Sequence, residues 1–416
     1  MKADWQLVRT RLLPAWVWSA LATAGIAGGS SLAQASVEST LIAATGQQAP
    51  GLASGVEFIQ INAPQVNSLN QVLLSGTVQT PSGVRGGLWL GSPGALNLLA
   101  LEGTNVPGMP LNVFFATGSA FQSLVLTESG DVLILARIAG PGVPSSSNLI
   151  ILHYRDGMWT QAARTGTAAP GVPGAVYESF SPPLMNESGK VTVTATVSGL
   201  SSPLSNGHWV GTTAGLSNVA LSDAVVPGFA GLVFPWPLDN SGLTPGVDAA
   251  GRIVFRSWLS GTGVTEVNNS AIWRGSPTGL ELVAREGVFP PGVSLGVRWG
   301  RDPGTPFEAP VVNHQGDIAF RASLQGAFVT IWNDAGIWCG QPGMLTMVTR
   351  EGETAPGTEV QFETLFDPIL NQSGDIAFRG NLTGTGVTGA NNTGIWFGPR
   401  SEPELAAREG NPAPGP

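Results

Sequence analysis

Cysteine, tyrosine and histidine are nearly missing from this 416-residue sequence, which has one, two and three of them. A lone Cys339 excludes an internal disulfide, so stability has to come from packing. Charge is scarce as well: 11% of residues are charged, and 28 Asp and Glu against 19 Lys and Arg give a net −9. That balance leaves no basic footprint for nucleic acid or an anionic lipid surface. The sequence also lacks H-E-x-x-H, G-x-S-x-G, P-loop and EF-hand patterns, and the S-x-D-x-G-x-x-W aspartate box. Its histidines, His153, His208 and His314, fall at unlike repeat positions, so no metal site and no cofactor is expected.

What is plentiful is glycine and proline, 57 and 32 residues spread along the whole length, beside a hydrophobic content of 42%. This profile suits many short strands joined by tight turns. At the start, Lys2, Arg9 and Arg11 precede an apolar run from Leu12 to Ala27, then Ala33-Gln34-Ala35. Residues 1–35 read as a secretory signal peptide, and the run, broken by Pro14, is too short for a spanning helix. Cleavage would begin the mature chain at Ser36, with no membrane span left. It would also remove a net +2 (Asp4 included) from −9, leaving −11.

Self-similarity is the strongest signal. VNHQGDIAFRASLQG (312–326) and LNQSGDIAFRGNLTG (370–384) are the clearest copies of a unit whose turn residue recurs at Asn70, Gly130, Gly189, Gly251, Gly316 and Gly374. A Gly-Ile-Trp-like segment follows each turn except in the second unit, which has Leu149–Tyr154 instead. A run such as LELVAREG (280–287) then leads to a Pro-Gly pair. Each unit of about 60 residues reads as four antiparallel strands: an apolar stretch, the segment after the N-x-x-G turn, the Trp segment, and the L-x-L-V-A-R run.

We therefore expect an all-β fold, a single β-propeller of six four-stranded blades over residues 36–416, with units near 52–108, 109–171, 172–228, 229–292, 293–357 and 358–415. Seven blades with an incomplete last one, or a β-solenoid, are the alternatives. A seventh copy of the fourth-strand run, Leu41–Thr45, is surplus and is expected to pair beside the last blade or cap an edge.

The N-x-x-G-x-x-A-F signature is complete at Asn313, Gly316, Ala319, Phe320 and at Asn371, Gly374, Ala377, Phe378. Through it, the region 40–415 resembles the bacterial secreted tandem-repeat proteins defined by that repeat, the choice-of-anchor type. The resemblance implies export and display at the cell surface, with no activity to carry over. The chain ends at Asn411–Pro416 instead of a sorting tail, an expectation of release or of an incomplete chain.

Chemistry-bearing residues are few. Arg256, Arg321 and Arg379 recur in the second strand of units four to six, and the same units have Glu286, Glu351 and Glu409 in the fourth strand. Structural Arg–Glu ion pairs are the expectation. Acids in register, such as Asp131, Asp317 and Asp375, read as structural; out of register are Asp223, Glu266, Asp302, Glu308, Asp334 and Glu363. Most Trp residues fall in the signal peptide or the repeated third strand, but Trp236 and Trp299 fall in connections between units. Variable loops on a rigid scaffold carry recognition, so Trp236, Trp299, Arg301 and Asp302 form the expected ligand groove. The function expected is a non-enzymatic, secreted or surface-displayed binding module, monomeric, for an extracellular protein or glycan. An extracellular carbohydrate-active hydrolase using loop carboxylates is the alternative.

Overall fold

The N-x-x-G turn does more than reverse the chain. In a computed structural model that describes residues 40–201, 205–238, 244–301 and 303–412, the last turn residue takes positive φ in all six units, from Asn70 at 56° to Gly316 at 88°. That conformation costs glycine nothing and asparagine little. The leading Asn closes its own turn: Asn67, Asn186, Asn313 and Asn371 each accept a backbone N–H four residues on, at 2.8–2.9 Å. Its amide nitrogen then reaches the turn of the following unit, Asn67 to the Thr127 carbonyl (3.0 Å), Asn186 to Asp248 (2.7 Å) and Asn313 to Asn371 (3.3 Å). The motif is thus both a hairpin and a staple between neighbours.

Each unit folds into its own antiparallel sheet in strand order one-two-three-four. In the sixth, these are Gln361–Leu365 with Ile369–Leu370, then Asp375–Thr383, Thr393–Pro399 and Glu404–Arg408. The first strand is broken in every unit, and Pro64, Pro183, Pro245, Pro310 and Pro368 stand at the break in five of them. Proline cannot donate to the ladder, so such a residue belongs at a break or an edge. Since, among the described residues, no sheet is assembled from strands of successive units, the solenoid alternative is excluded. Six propeller-type blades result.

The blades stack through five clusters, joining one to two, two to three, three to four, four to five and five to six. On the leading face of each sheet the third-strand Trp is fully buried in blades one and three to six (Trp89, Trp209, Trp273, Trp338, Trp396). In four of these its indole N–H donates to the proline carbonyl of the preceding Pro-Gly, at 2.9–3.0 Å. Trp273 uses the Ser257 hydroxyl instead.

Closure differs from expectation. Among the described residues no core cluster joins the sixth blade to the first. The leading face of the first blade packs on Ile42, Ala43, Ala49 and Leu52. The surplus copy at Leu41–Thr45 thus forms no strand beside the last blade. It covers an end, held by the Gly46 N–H to the Phe58 carbonyl (2.8 Å). The segment expected to be a signal peptide, residues 1–35, lies outside the described residues.

Candidate functional site

The loop between the second and third strands has one framework in blades four, five and six. It reads GTGVTEVN (261–268), GAFVTIWN (326–333) and GTGVTGAN (384–391). In all three the final Asn accepts the Thr N–H at 2.7 Å. The same Asn donates to the carbonyl five residues back, at 3.1–3.2 Å. That carbonyl belongs to Gly263, Phe328 and Gly386, which have φ of 76°, 63° and 82°.

A phenylalanine therefore stands where its sister loops have glycine, in a left-handed conformation that costs an ordinary residue about 1–2 kcal/mol. Its ring gains no burial in return: Phe328 is 94% exposed, beside Ile331 at 73% and Trp332 at 61%. Leu295, 94% exposed, joins them from the neighbouring connection, where the Ala327 N–H meets the Gly296 carbonyl at 3.4 Å. The result is a stiff projecting apolar tip.

The residues expected to form a groove are not assembled as one. Trp299 is a correction: it is 3% exposed and sits in the core between the fourth and fifth blades, edge-on to Trp338 (5.8 Å) and Phe307 (5.7 Å). It takes the first-strand aromatic place held elsewhere by Phe58, Phe115, Tyr177, Phe234 and Phe362, so no ligand can reach it. Trp236 is exposed, and Arg301 is exposed with its nearest carboxylate, Glu308, at 3.9 Å. Asp302 lies outside the described residues.

The recurrent arginines also part from the expected pattern. Arg321 binds Glu308 (3.0 Å) and Asp367 (3.1 Å), two acids at the breaks of first strands in adjacent blades. Arg256 donates to the Phe307 carbonyl at 2.6 Å. Arg379 lies over the Phe366 ring at 3.6 Å, and Glu409 is exposed. Two glutamates of this register serve the backbone. Glu102 accepts three N–H groups and Glu351 accepts that of Leu365 (3.0 Å). At the same place Thr165 and Ser222 accept one each. The in-register acids Asp131 and Asp317 pair with Arg155 and Arg400. Cys339 is buried, and burial pushes its thiol up to about 11.

One acid pair departs from the repeat. Units two, four and six have Asn148, Asn269 and Asn392 where unit five has Asp334, beside Glu351. Burial, with Asp334 adding to it, pushes Glu351 up to about 7, against the opposing pull of the Leu365 N–H and Arg321. From an ordinary value of 4.5 up to about 7 the folded chain holds a proton that the unfolded chain releases, so stability falls as pH rises through that window. The cost is complete above about 7 and amounts to about 2–3 kcal/mol for the pair. Asp334→Asn restores the repeat's own chemistry. We expect urea denaturation to show it more stable than the parent by at least about 1 kcal/mol at pH 8 and equal to it at pH 4.5. Equal stability at both would show that Asp334 does not add to the shift of Glu351.

Among the described residues no His, Cys, Asp and Glu side chains converge as metal ligands would, and no helix is long and apolar enough to cross a membrane.

Residues 22–221 and again 198–416 match a sequence family described as a family of unknown function (DUF7453), and the chain belongs to that family. No curated protein matches it. Among solved structures it is similar to a protein of unknown function from Dyadobacter fermentans (10% identity, 85% of this chain and 98% of that one, TM-score 0.30). It is also similar to the β-propeller domain of the Trilobed protease from Pyrococcus furiosus, described as having an open velcro topology (8%, 85% and 100%, 0.33). A third is the polysaccharide lyase Uly1 (11%, 81% and 76%, 0.34). The propeller-type architecture rests on the sheets themselves.

Proposed function

We propose that this DUF7453 chain is a non-enzymatic binding module, secreted or displayed at the cell surface, that engages a protein partner through the apolar tip of its fifth blade. The observation that carries the reading is Phe328, held with positive φ and fully presented to solvent where the sister loops keep glycine. Strain retained without burial points to a role outside the fold. The tip is convex, whereas small-molecule and sugar sites are concave. A projecting Phe, Ile, Trp and Leu set is suited to filling a partner's pocket, the geometry of an interface hot spot. A net charge of −9 opposes docking on an anionic membrane.

The hydrolase alternative draws on the same blade. Of its out-of-register loop carboxylates, however, Glu308 is already engaged by Arg321 at 3.0 Å.

Phe328→Gly tests the reading. Relief of the left-handed strain should raise stability by about 0.5–1 kcal/mol in urea. Affinity for a protein ligand selected against the parent's fifth blade should fall at least about tenfold. Unchanged affinity would refute the tip as the recognition surface. Flotation of the parent, but not the variant, with phosphatidylcholine vesicles would assign the tip to lipid and overturn the protein-partner reading. Turnover in a glycosidase and lyase screen would overturn the non-enzymatic one.

A further inference from the structure

Two departures from the repeat meet in one loop. The fifth unit alone puts the exposed Phe328 there, and it alone has an acid at both places where that loop joins the end of the fourth strand, Asp334 and Glu351. Asp334 follows directly on Asn333, the residue whose side chain closes the loop 326–333. The Asp334 carbonyl accepts the Leu324 N–H at 2.7 Å, and the Glu351 N–H donates to the next carbonyl, that of Ala335, at 2.9 Å. The two acids therefore stand side by side at the ends of paired strands, and their carboxyl groups are hydrogen-bonded to each other. Such a bond needs a proton between them.

The neighbours of Glu351 grip the same loop. The Arg350 guanidinium donates to the Asn333 carbonyl at 2.7 Å, and a Cβ at Gly352 would lie 3.1 Å from the Trp332 carbonyl. Glu351 itself reaches on to the sixth blade, where it accepts the Leu365 N–H at 3.0 Å. Little charge is on hand to offset the pair once it is ionised. Arg321 faces it but is already shared between Glu308 (3.0 Å) and Asp367 (3.1 Å). Arg350 is turned to the loop carbonyl, Glu353 takes the Arg350 N–H at 3.0 Å, and the strand Gln361–Leu365 adds Glu363 and no base. Burial, with Asp334 adding to it, pushes Glu351 up to about 7, so the proton is held in acid and gone above neutrality.

We propose that this carboxyl pair is a proton-operated latch that controls presentation of the apolar tip, an inference that rests on the tip being the recognition surface. In acid the shared proton fixes the stem of the loop to the end of the fourth strand, and Phe328 and Trp332 stand on a stiff base. When the proton leaves, two carboxylates face each other across the stem, the loop opens there, and the strained Phe328 relaxes. An open stem lets Glu351 return to its ordinary 4.5, so each pH unit from there to about 7 weakens the latch up to about tenfold.

The sister loop of the sixth blade is a control within the same chain. It has the neutral Asn392 in place of Asp334 and keeps the matching bond, from the Leu382 N–H to the Asn392 carbonyl at 2.7 Å. Hydrogen exchange of the full chain should show protection at Leu324 relative to Leu382 falling at least about tenfold between about pH 5 and about pH 8. Asp334→Asn should hold that ratio level, and so should Glu351→Gln, which retains an acceptor for the Leu365 N–H. A nanobody selected on the parent in acid, and lost on Phe328→Gly, should bind the parent at least about threefold more weakly at about pH 8 and bind Asp334→Asn equally at both. A ratio that stays level in the parent would overturn the latch, as would a fall that Asp334→Asn retains. A falling ratio beside unchanged nanobody affinity would overturn its control of the tip. Neither readout needs the tip's own partner, so failure of the latch and failure of the recognition reading are separate results.

Discussion

Trp338→Ala should cost about 3–5 kcal/mol in urea denaturation, the range for deleting a large buried aromatic ring. Trp338 is fully buried where the fourth and fifth blades meet. Its ring is stacked near Phe320 (6.3 Å) and edge-on to Trp299 (5.8 Å), and its indole N–H donates to the Pro291 carbonyl at 3.0 Å. Alanine therefore opens a void and removes the donor to the Pro291 carbonyl together, with little chance of collapse between two ordered sheets. The site is built around the ring: a Cβ at Gly336 would lie 2.8 Å from it. Trp332→Ala, six residues away in sequence but 61% exposed, is the matched control and should change stability by less than about 0.5 kcal/mol. A loss below about 2 kcal/mol for Trp338→Ala would mean that the interface between these blades repacks, and the repeated tryptophan would then not be what pins one sheet to the next.

The place of that tryptophan, and most of the fold, can be read from the repeat. The N-x-x-G turn announces itself because it needs an Asn side chain and a residue tolerant of positive φ at fixed spacing, both local requirements. The four-strand unit follows from the alternation of its segments. Trp299 departs from its expected place because a second register runs through the units. Val56-Glu57-Phe58, Val113-Phe114-Phe115, Ala175-Val176-Tyr177, Leu232-Val233-Phe234, Val297-Arg298-Trp299 and Val360-Gln361-Phe362 are one pattern, and an aromatic on that pattern belongs to the core. The tip was legible by the same comparison, since aligning the three loops on their Thr and Asn puts Phe328 over two glycines. Whether the blades close was not legible. Closure depends on the angle accumulated between successive sheets, to which no single unit is committed.

The recurrent glutamate gives the last expected result. Because Glu102 caps backbone groups in a unit that has Ser75 where later units have an arginine, truncation should act through unpaired N–H groups and not through a stranded guanidinium. Glu102 is 4% exposed; its Oε2 accepts from Gly86 (2.9 Å) and Gly118 (3.0 Å), and its Oε1 from Ala120 (2.7 Å). It thereby ties the third strand of the first blade to the break in the first strand of the second. Hydrogen bonds to a charged acceptor contribute about 1.5–3 kcal/mol each, without simple additivity. Glu102→Ala should therefore cost about 3–4 kcal/mol. Its mark would be faster amide exchange at Gly118 and Ala120, with the strand ladder of the first blade still protected. The repeat supplies its own graded control. Thr165 and Ser222 fill this place with one hydroxyl that accepts one strand N–H, from Leu149 and Asn206, both at 3.0 Å. Glu102→Thr should accordingly keep the Gly86 bond and recover about a third of the loss, with exchange at Gly118 and Ala120 as fast as in the alanine variant. Recovery of protection at those two amides in Glu102→Thr would show that water or a rearranged backbone can serve them, and the carboxylate would then not be the tie between the blades.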